Sequence, residues 1–215
     1  DPGAIAFEWM AGVPLLNRPH LPAYYDERTA PVTVDGIVFL EVDAANDQHL
    51  DEALWVSELA REEPRIQAMV ASAPLERGPA AVEADIASIA KLPVARGLRR
   101  LIQNHPEPGW CLRPDFVDAV KLLPKYDLTF DLCIFHTQMA DTIELVRRCH
   151  EVGFILDHIG KPGIKEGIRD PWWDQMKALA DLPNVMCKIS GVVTEADHAN
   201  WTYDQVAPYV AHAID

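Results

Sequence analysis

Two ionisable side chains, Asp157 and His158, stand where an apolar run stops. Phe154, Ile155 and Leu156 precede them, and Gly160 and Pro162 follow and break any regular element. The run reads as a strand buried on both faces, as in a parallel sheet. A carboxylate and an imidazole at the carboxyl end of such a strand lie on the face where α/β proteins bind ligands. Because the proton state of an imidazole is adjustable near neutral pH, the pair is a candidate for polarising a small molecule or orienting water. It also has a plainer use, with Asp157 capping the next turn and His158 a hydrogen-bonded core histidine.

The other apolar runs end in the same way. One closes on Glu41 and Asp43, another carries Arg99, Arg100 and Gln103, a third runs into His136-Thr137-Gln138, and the last holds Lys188 and Ser190. Side chains alternate along a strand, so Arg99 and Gln103 share a face, as do Lys188 and Ser190, and Ile134 and His136. An unpaired ammonium inside a buried strand is costly, which makes Lys188 hard to explain by packing. Five successive strand ends bearing an acid, a base or an amide point to a site built from Glu41, Arg99, His136, His158 and Lys188. Other polar residues have structural explanations. Asp43 and Asp47 suit helix starts, Thr194-Glu195-Ala196-Asp197 fits a capping box, and Arg96 and Arg100 suit an outer face paired with helix acids. His20, His49, His105, His150, His198 and His212 fall in loops or helices, where solvation is expected.

The elements that must position these residues alternate. Strands are predicted at 35–42, 66–71, 94–103, 128–135, around Phe154 and at 184–190. Helices are predicted at 47–62, 79–89, 114–123, 140–149 and 172–179, with a partly helical stretch at 195–213. Strand–helix units at this pitch, without a Gly-x-Gly-x-x-Gly or Walker loop after any strand, favour a parallel α/β barrel over an open doubly wound sheet. Residues 1–33 are rich in proline and aromatics, too apolar for a disordered tail. They read as an irregular ordered loop covering a site, with Trp9 placed to lie over a ring.

Composition narrows the function class. The 215 residues are 49% hydrophobic and 24% charged, an ordinary globular balance that suits one domain over 1–215. A formal net charge of −14 argues against nucleic-acid or anionic-membrane partners and for a small-molecule substrate. No apolar stretch is long enough to span a bilayer. The four cysteines form no Cys-x-x-Cys pair, Cys133 and Cys187 sit in apolar runs, and a reduced, cytoplasmic setting is expected.

Five segments, in order, resemble the amidohydrolase-2 branch of the amidohydrolase superfamily. They are Val38–Asp43, Ala95–Gln103, Phe130–Ile134, Phe154–Pro162 and Val185–Asp197, with Asp-His-Ile-Gly-Lys-Pro and Cys-Lys-Ile-Ser-Gly the most specific parts. More narrowly they are similar to its sugar-lactonase group, relatives of 2-pyrone-4,6-dicarboxylate lactonase. The resemblance implies a distorted (β/α)8 TIM barrel and hydrolysis of a lactone ester by water. It casts His158 and His136 as groups that polarise the carbonyl or orient water, and Lys188 and Arg99 as oxyanion or substrate-oxygen partners. Gln103, Glu41 and Trp9 would hold the sugar.

The resemblance leaves the metal open. Many members hold one divalent ion, zinc above all, whereas the 2-pyrone relative is metal-free; His158 and Glu41 are the candidate ligands here. The family's first-strand His-x-His and its last-strand Ser-Asp-Trp-Pro, whose aspartate serves as base, do not occur between Asp1 and Asp215. A chain lacking the first and last barrel strands, and hence an excerpt, is therefore expected. A metal-dependent decarboxylase of the same branch and an inactive barrel are the competing readings.

Overall fold

Short apolar runs, each closed by a polar residue or a loop, become six parallel strands in the computed structural model, which describes residues 5–103 and 105–215. They are β1 (Ile37–Leu40), β2 (Ile66–Ala71), β3 (Ala95–Arg99), β4 (Thr129–Leu132), β5 (Phe154–Leu156) and β6 (Val185–Cys187). Helices α2 (His49–Glu62), α3 (Pro79–Ala90), α4 (Pro114–Val120), α5 (Met139–Arg148) and α6 (Trp172–Ala180) fill the crossovers. A first helix, α1 (Pro22–Thr29), precedes the sheet and a last, α7 (Tyr203–Ile214), follows it.

The strands lie in the order β1-β2-β3-β4-β5-β6, so every crossover steps to the next position in one direction. A doubly wound sheet reverses at a switch point, and this one does not. Right-handed crossovers wound one way place the helices on one face, as in a barrel. The middle of that face is the core. Leu98, Phe130, Leu132, Phe154 and Leu156 are buried there in one core with Phe116 of α4 and Val146 of α5. Phe116, Phe130 and Phe154 meet edge to face at centroid distances of 6.0 and 6.1 Å, a geometry that adds about 0.5–1.5 kcal/mol per pair beyond area burial. Arg99 pairs in register with Asp131, so both point to the opposite, helix-free face.

Several expectations change. The strands are shorter than predicted because the chain finds other partners. The amides of Ile102 and Gln103 both donate to the carbonyl of Cys133 (3.1 and 3.0 Å), and the amide of Phe135 donates to Gln138 Oε1 (3.0 Å). The alternation used for Gln103, His136 and Ser190 therefore stops short of them. Residues 1–33, whose Pro2 and Gly3 lie outside the described residues, include α1. Pro22 starts that helix at its first turn, where a missing N–H costs nothing, and Asp26 accepts two bonds from Arg65 (2.7 and 3.0 Å).

Cys187 is exposed on strand β6 instead of buried. His49 is buried, tied to Asp85 (3.2 Å) and the carbonyl of Asn46 (3.0 Å). The residues 194–197 do not cap a helix, since Asp197 accepts the amides of Ala199 and Asn200; the capping box is Thr202 with Gln205. No helix among the described residues is long and apolar enough to cross a membrane.

Candidate active site

At the carboxyl ends of β1, β3, β4 and β5 lies a cavity of about 390 Å³. It brings together Trp9, Glu41, Arg99, Gln103 and His158 of the expected residues, and adds Asp43, Cys133 and Lys161. Lys188 and His136 are not in its lining. Lys188 lies beneath it, and His136 sits in a 3-10 turn (His136–Gln138) whose imidazole is near Gly163.

Under the cavity runs a chain of buried charges. Arg99 donates from Nε to Glu41 Oε1 (2.6 Å), from Nη2 to the Glu41 carbonyl, and from Nη1 to Asp157 Oδ2 (3.0 Å). Lys188 Nζ donates to Asp157 Oδ1 (2.8 Å) and to Asp131 Oδ2. Glu41, Asp131 and Asp157 are all buried. Burial opposes the Arg99 and Lys188 charges, but the carboxylates prevail and raise both pKa values. At Asp131 the balance tips the other way: burial raises its pKa despite Lys188, and its Oδ1 has no partner among the described residues. Lys188 is thus not the unpaired ammonium its sequence context suggested. It neutralises two buried carboxylates, one of which, Asp131, could have been found by the same signal of a charge within an apolar run.

The edge of the cavity that holds His158 and Lys161 is built differently. His158, Ile159, Gly160 and Lys161 all have positive φ (55°, 49°, 70° and 49°), making one left-handed turn directly after β5. The left-handed region costs an L-residue about 1–2 kcal/mol, and for a β-branched residue such as Ile159 it is a genuine outlier, so the surroundings must hold it. The Ile159 amide donates to the Lys188 carbonyl (3.1 Å), and Lys161 N–H donates to the His158 carbonyl (3.0 Å). Such strain concentrates where geometry serves a ligand.

The turn sets the tautomer of His158. Its Nδ1 lies 3.2 Å from the carbonyl oxygen of Ser190 and 2.9 Å from Ser190 Oγ. A carbonyl only accepts, so the bond to it is made by the tautomer with the proton on Nδ1, which leaves the lone pair on Nε2. Burial lowers the His158 pKa against the opposing charge of Asp157, which favours that neutral form. The ring can sit there because residue 191 is glycine. A Cβ at Gly191 (φ +61°) would lie 2.9 Å from Nδ1.

Lys161, three residues on, places its ammonium on Gln103 Oε1 and over the Phe135 ring (5.2 Å to the centroid). The Cys133 thiol, its pKa raised by burial, donates to the same Gln103 oxygen (3.4 Å). Asp43 is a wall residue instead of a helix cap, held at φ 57° with its amide on Glu41 Oε2 (2.8 Å). Trp9 closes the far side, its indole N–H donating to the Val42 carbonyl (2.8 Å).

The donor set does not fit a metal by itself. Glu41 spends both oxygens, on Arg99 and on the Asp43 amide, and a guanidinium beside it repels a cation. His158 offers one nitrogen. Among the described residues no group of three or more His, Cys, Asp or Glu side chains could hold a metal ion. The proposed pairing of His158 with Glu41 as ligands is therefore not supported by this geometry.

Known proteins share this architecture. The L-fucono-1,5-lactonase of Burkholderia ambifaria is 35% identical over 133 residues, 61% of this chain and 45% of that protein. The L-fucono-1,5-lactonase of Burkholderia multivorans is 30% identical over 201 residues, 90% of this chain and 66% of that one. The chain thus spans about half to two thirds of these relatives' lengths. A solved amidohydrolase from B. multivorans superposes with TM-scores of 0.82 with HEPES bound and 0.81 with zinc bound, at 28% identity over 96% of this chain. The six singly wound parallel strands with alternating helices thus share the α/β fold of these amidohydrolase structures. The amidohydrolase family model matches residues 5–215, and the chain belongs to that family.

Proposed function

We propose that the site opens a lactone by water attack, and that the substrate is a sugar lactone of the L-fucono or L-rhamnono kind. The observation that carries this reading is the pairing, in one cavity, of an unprotonated His158 Nε2 with the Lys161 ammonium. Lactone hydrolysis needs a proton acceptor for water and a positive group where the carbonyl oxygen becomes negative. His158 takes the water proton as the water oxygen bonds to the carbonyl carbon. Lys161, held by Gln103, stabilises the oxyanion as a point charge. Collapse breaks the ring C–O bond, and the His158 imidazolium returns its proton to the leaving ring oxygen. Gln103 and Asp43 supply polar partners for ring hydroxyls, and Trp9 offers an aromatic face to the sugar. The lactonase relatives support the substrate class.

Arg99 and Lys188 act from below. Their bonds to Glu41, Asp131 and Asp157 fix the floor and set its potential, and Arg99, which lines the cavity, keeps two N–H groups beyond those bonds.

The test is ring opening followed with a pH indicator on L-fucono-, L-rhamnono-, L-galactono- and D-arabinono-lactones. The expected result is a clear rate on at least one, reduced about 10²–10⁴-fold in His158→Ala with the fold retained, the range for loss of an acid–base group. No rate above background on the whole panel would overturn the assignment.

A further inference from the structure

The turn that presents His158 and Lys161 is unfavourable for the residues that make it, so something outside it must hold it in place. Two fastenings grip Ile159, at its centre. Its amide donates to the carbonyl of Lys188, and its carbonyl accepts the indole N–H of Trp172 (2.8 Å). The first reaches the end of β6 and the second reaches α6, thirteen residues along the chain. Trp172 is fully buried and does not line the cavity. Its ring is itself fixed, 5.5 Å from Tyr209 and 5.6 Å from His212, so its single donor has a set direction. An indole offers one N–H and no acceptor, and here that N–H is spent on the carbonyl of the most strained residue in the turn.

We propose that Trp172 is a positioning residue for the reaction: by holding the Ile159 carbonyl it locks the left-handed turn that delivers His158 Nε2 and the Lys161 ammonium to the cavity. The proposal rests on the reading that these two groups act on the substrate. Loss of the bond frees the turn to relax toward right-handed backbone, which draws the His158 ring off Ser190 and moves Lys161 with it. Packing alone does not account for the arrangement, because a phenyl ring would fill the apolar space without bonding the carbonyl.

The test compares Trp172→Phe with benzothienylalanine placed at position 172 in the full chain. The latter keeps the bicyclic shape and replaces N–H by sulfur. On a lactone that the unmodified protein opens, the expected result in both is a kcat roughly 10–100-fold lower, the scale of a small misplacement of reacting groups, with KM little changed. The 15N spectrum of His158 is expected to lose its single Nδ1–H tautomer. Trp201→Phe, at an exposed indole outside the ring contacts of Trp172, leaves both readouts as they were.

If Trp172→Phe does not fold, the isostere decides. Retained kcat and an unchanged His158 spectrum in the isostere, with only the unfolding midpoint lowered, would reduce Trp172 to packing and overturn the proposal. If the unmodified protein opens no lactone, the functional reading fails by itself. The spectrum still rules on Trp172, an intact tautomer in the isostere counting against it.

Discussion

The floor of the cavity and its rim are built on opposite terms. In the floor, Arg99 and Lys188 each pair with two residues among Glu41, Asp157 and Asp131, and all but the partly exposed Lys188 are buried or nearly so. At the rim, His158 keeps a lone pair and Lys161 meets, among the described residues, the neutral amide of Gln103 and the face of Phe135, on backbone that is strained. Residue type does not separate the two groups, since each contains cations. The difference lies in saturation: a charge already paired in the fold organises the site, and a group left with unused capacity can act on a substrate.

That comparison can be broken most readily at Lys188. Replacing Lys188 by Met leaves Asp131 and Asp157 buried with one cation, Arg99, for three carboxylates. Breaking a buried pair this way costs about 3–5 kcal/mol, and partial exposure of Lys188 places the effect at the lower end. Urea unfolding checks it; an unchanged midpoint would place Lys188 at the rim after all.

Glu52 extends the floor on the other side. Burial, and then the charge of Glu41, push its carboxyl up to about 7, and its Oε2 has no partner among the described residues. The folded protein therefore binds this proton more tightly than the unfolded chain. Stability contributed by the proton is fully present below pH 4.5, falls as pH rises toward 7 and is gone above it. Glu52→Gln is expected to raise stability by about 3 kcal/mol at pH 8 and to change little at pH 4, from about 1.4 kcal/mol per pKa unit. Equal shifts at both pH values would contradict a protonated Glu52.

Rim substitutions sharpen the contrast from the other direction. Lys161→Met is expected to lower kcat about 10²-fold, the scale of losing one oxyanion partner, with little change in unfolding midpoint. A matching loss of stability would make Lys161 part of the floor. Trp9→Leu removes an aromatic face and is expected to raise KM about threefold with kcat kept, a loss within the roughly 0.5–1.5 kcal/mol of an aromatic contact. A fall in kcat alone would instead tie Trp9 to the chemistry.

Much of the fold could be read from the sequence because buried parallel strands are short apolar runs and their helices carry periodic faces. Ile66–Ala71 and Phe154–Leu156 were legible in that way. Helix α1 was not, because Pro19 and Pro22 look like breakers until one is seen to open a helix. The place of His158 at the cavity was legible, because its motif is specific and closes a strand. Lys161 lies in the same motif, but its part depends on four successive left-handed residues, which no composition rule announces. The pairing of Arg99 and Lys188 was not legible, because sequence shows a charge without its counter-charge. Glu41 is 58 positions from Arg99 and Asp131 is 57 from Lys188, and only the folded sheet brings them together.

The central claim is that neutral His158, with its proton on Nδ1, presents Nε2 as the base. The pH dependence of kcat/KM for lactone opening tests it most directly. A base must be unprotonated, so the rate is expected to fall as pH drops through the His158 pKa, which burial holds below the ordinary 6.5. That acid limb should vanish in His158→Gln, leaving a slow, flat profile. A limb at or above 6.5, or one that persists unchanged in His158→Gln, would contradict the account.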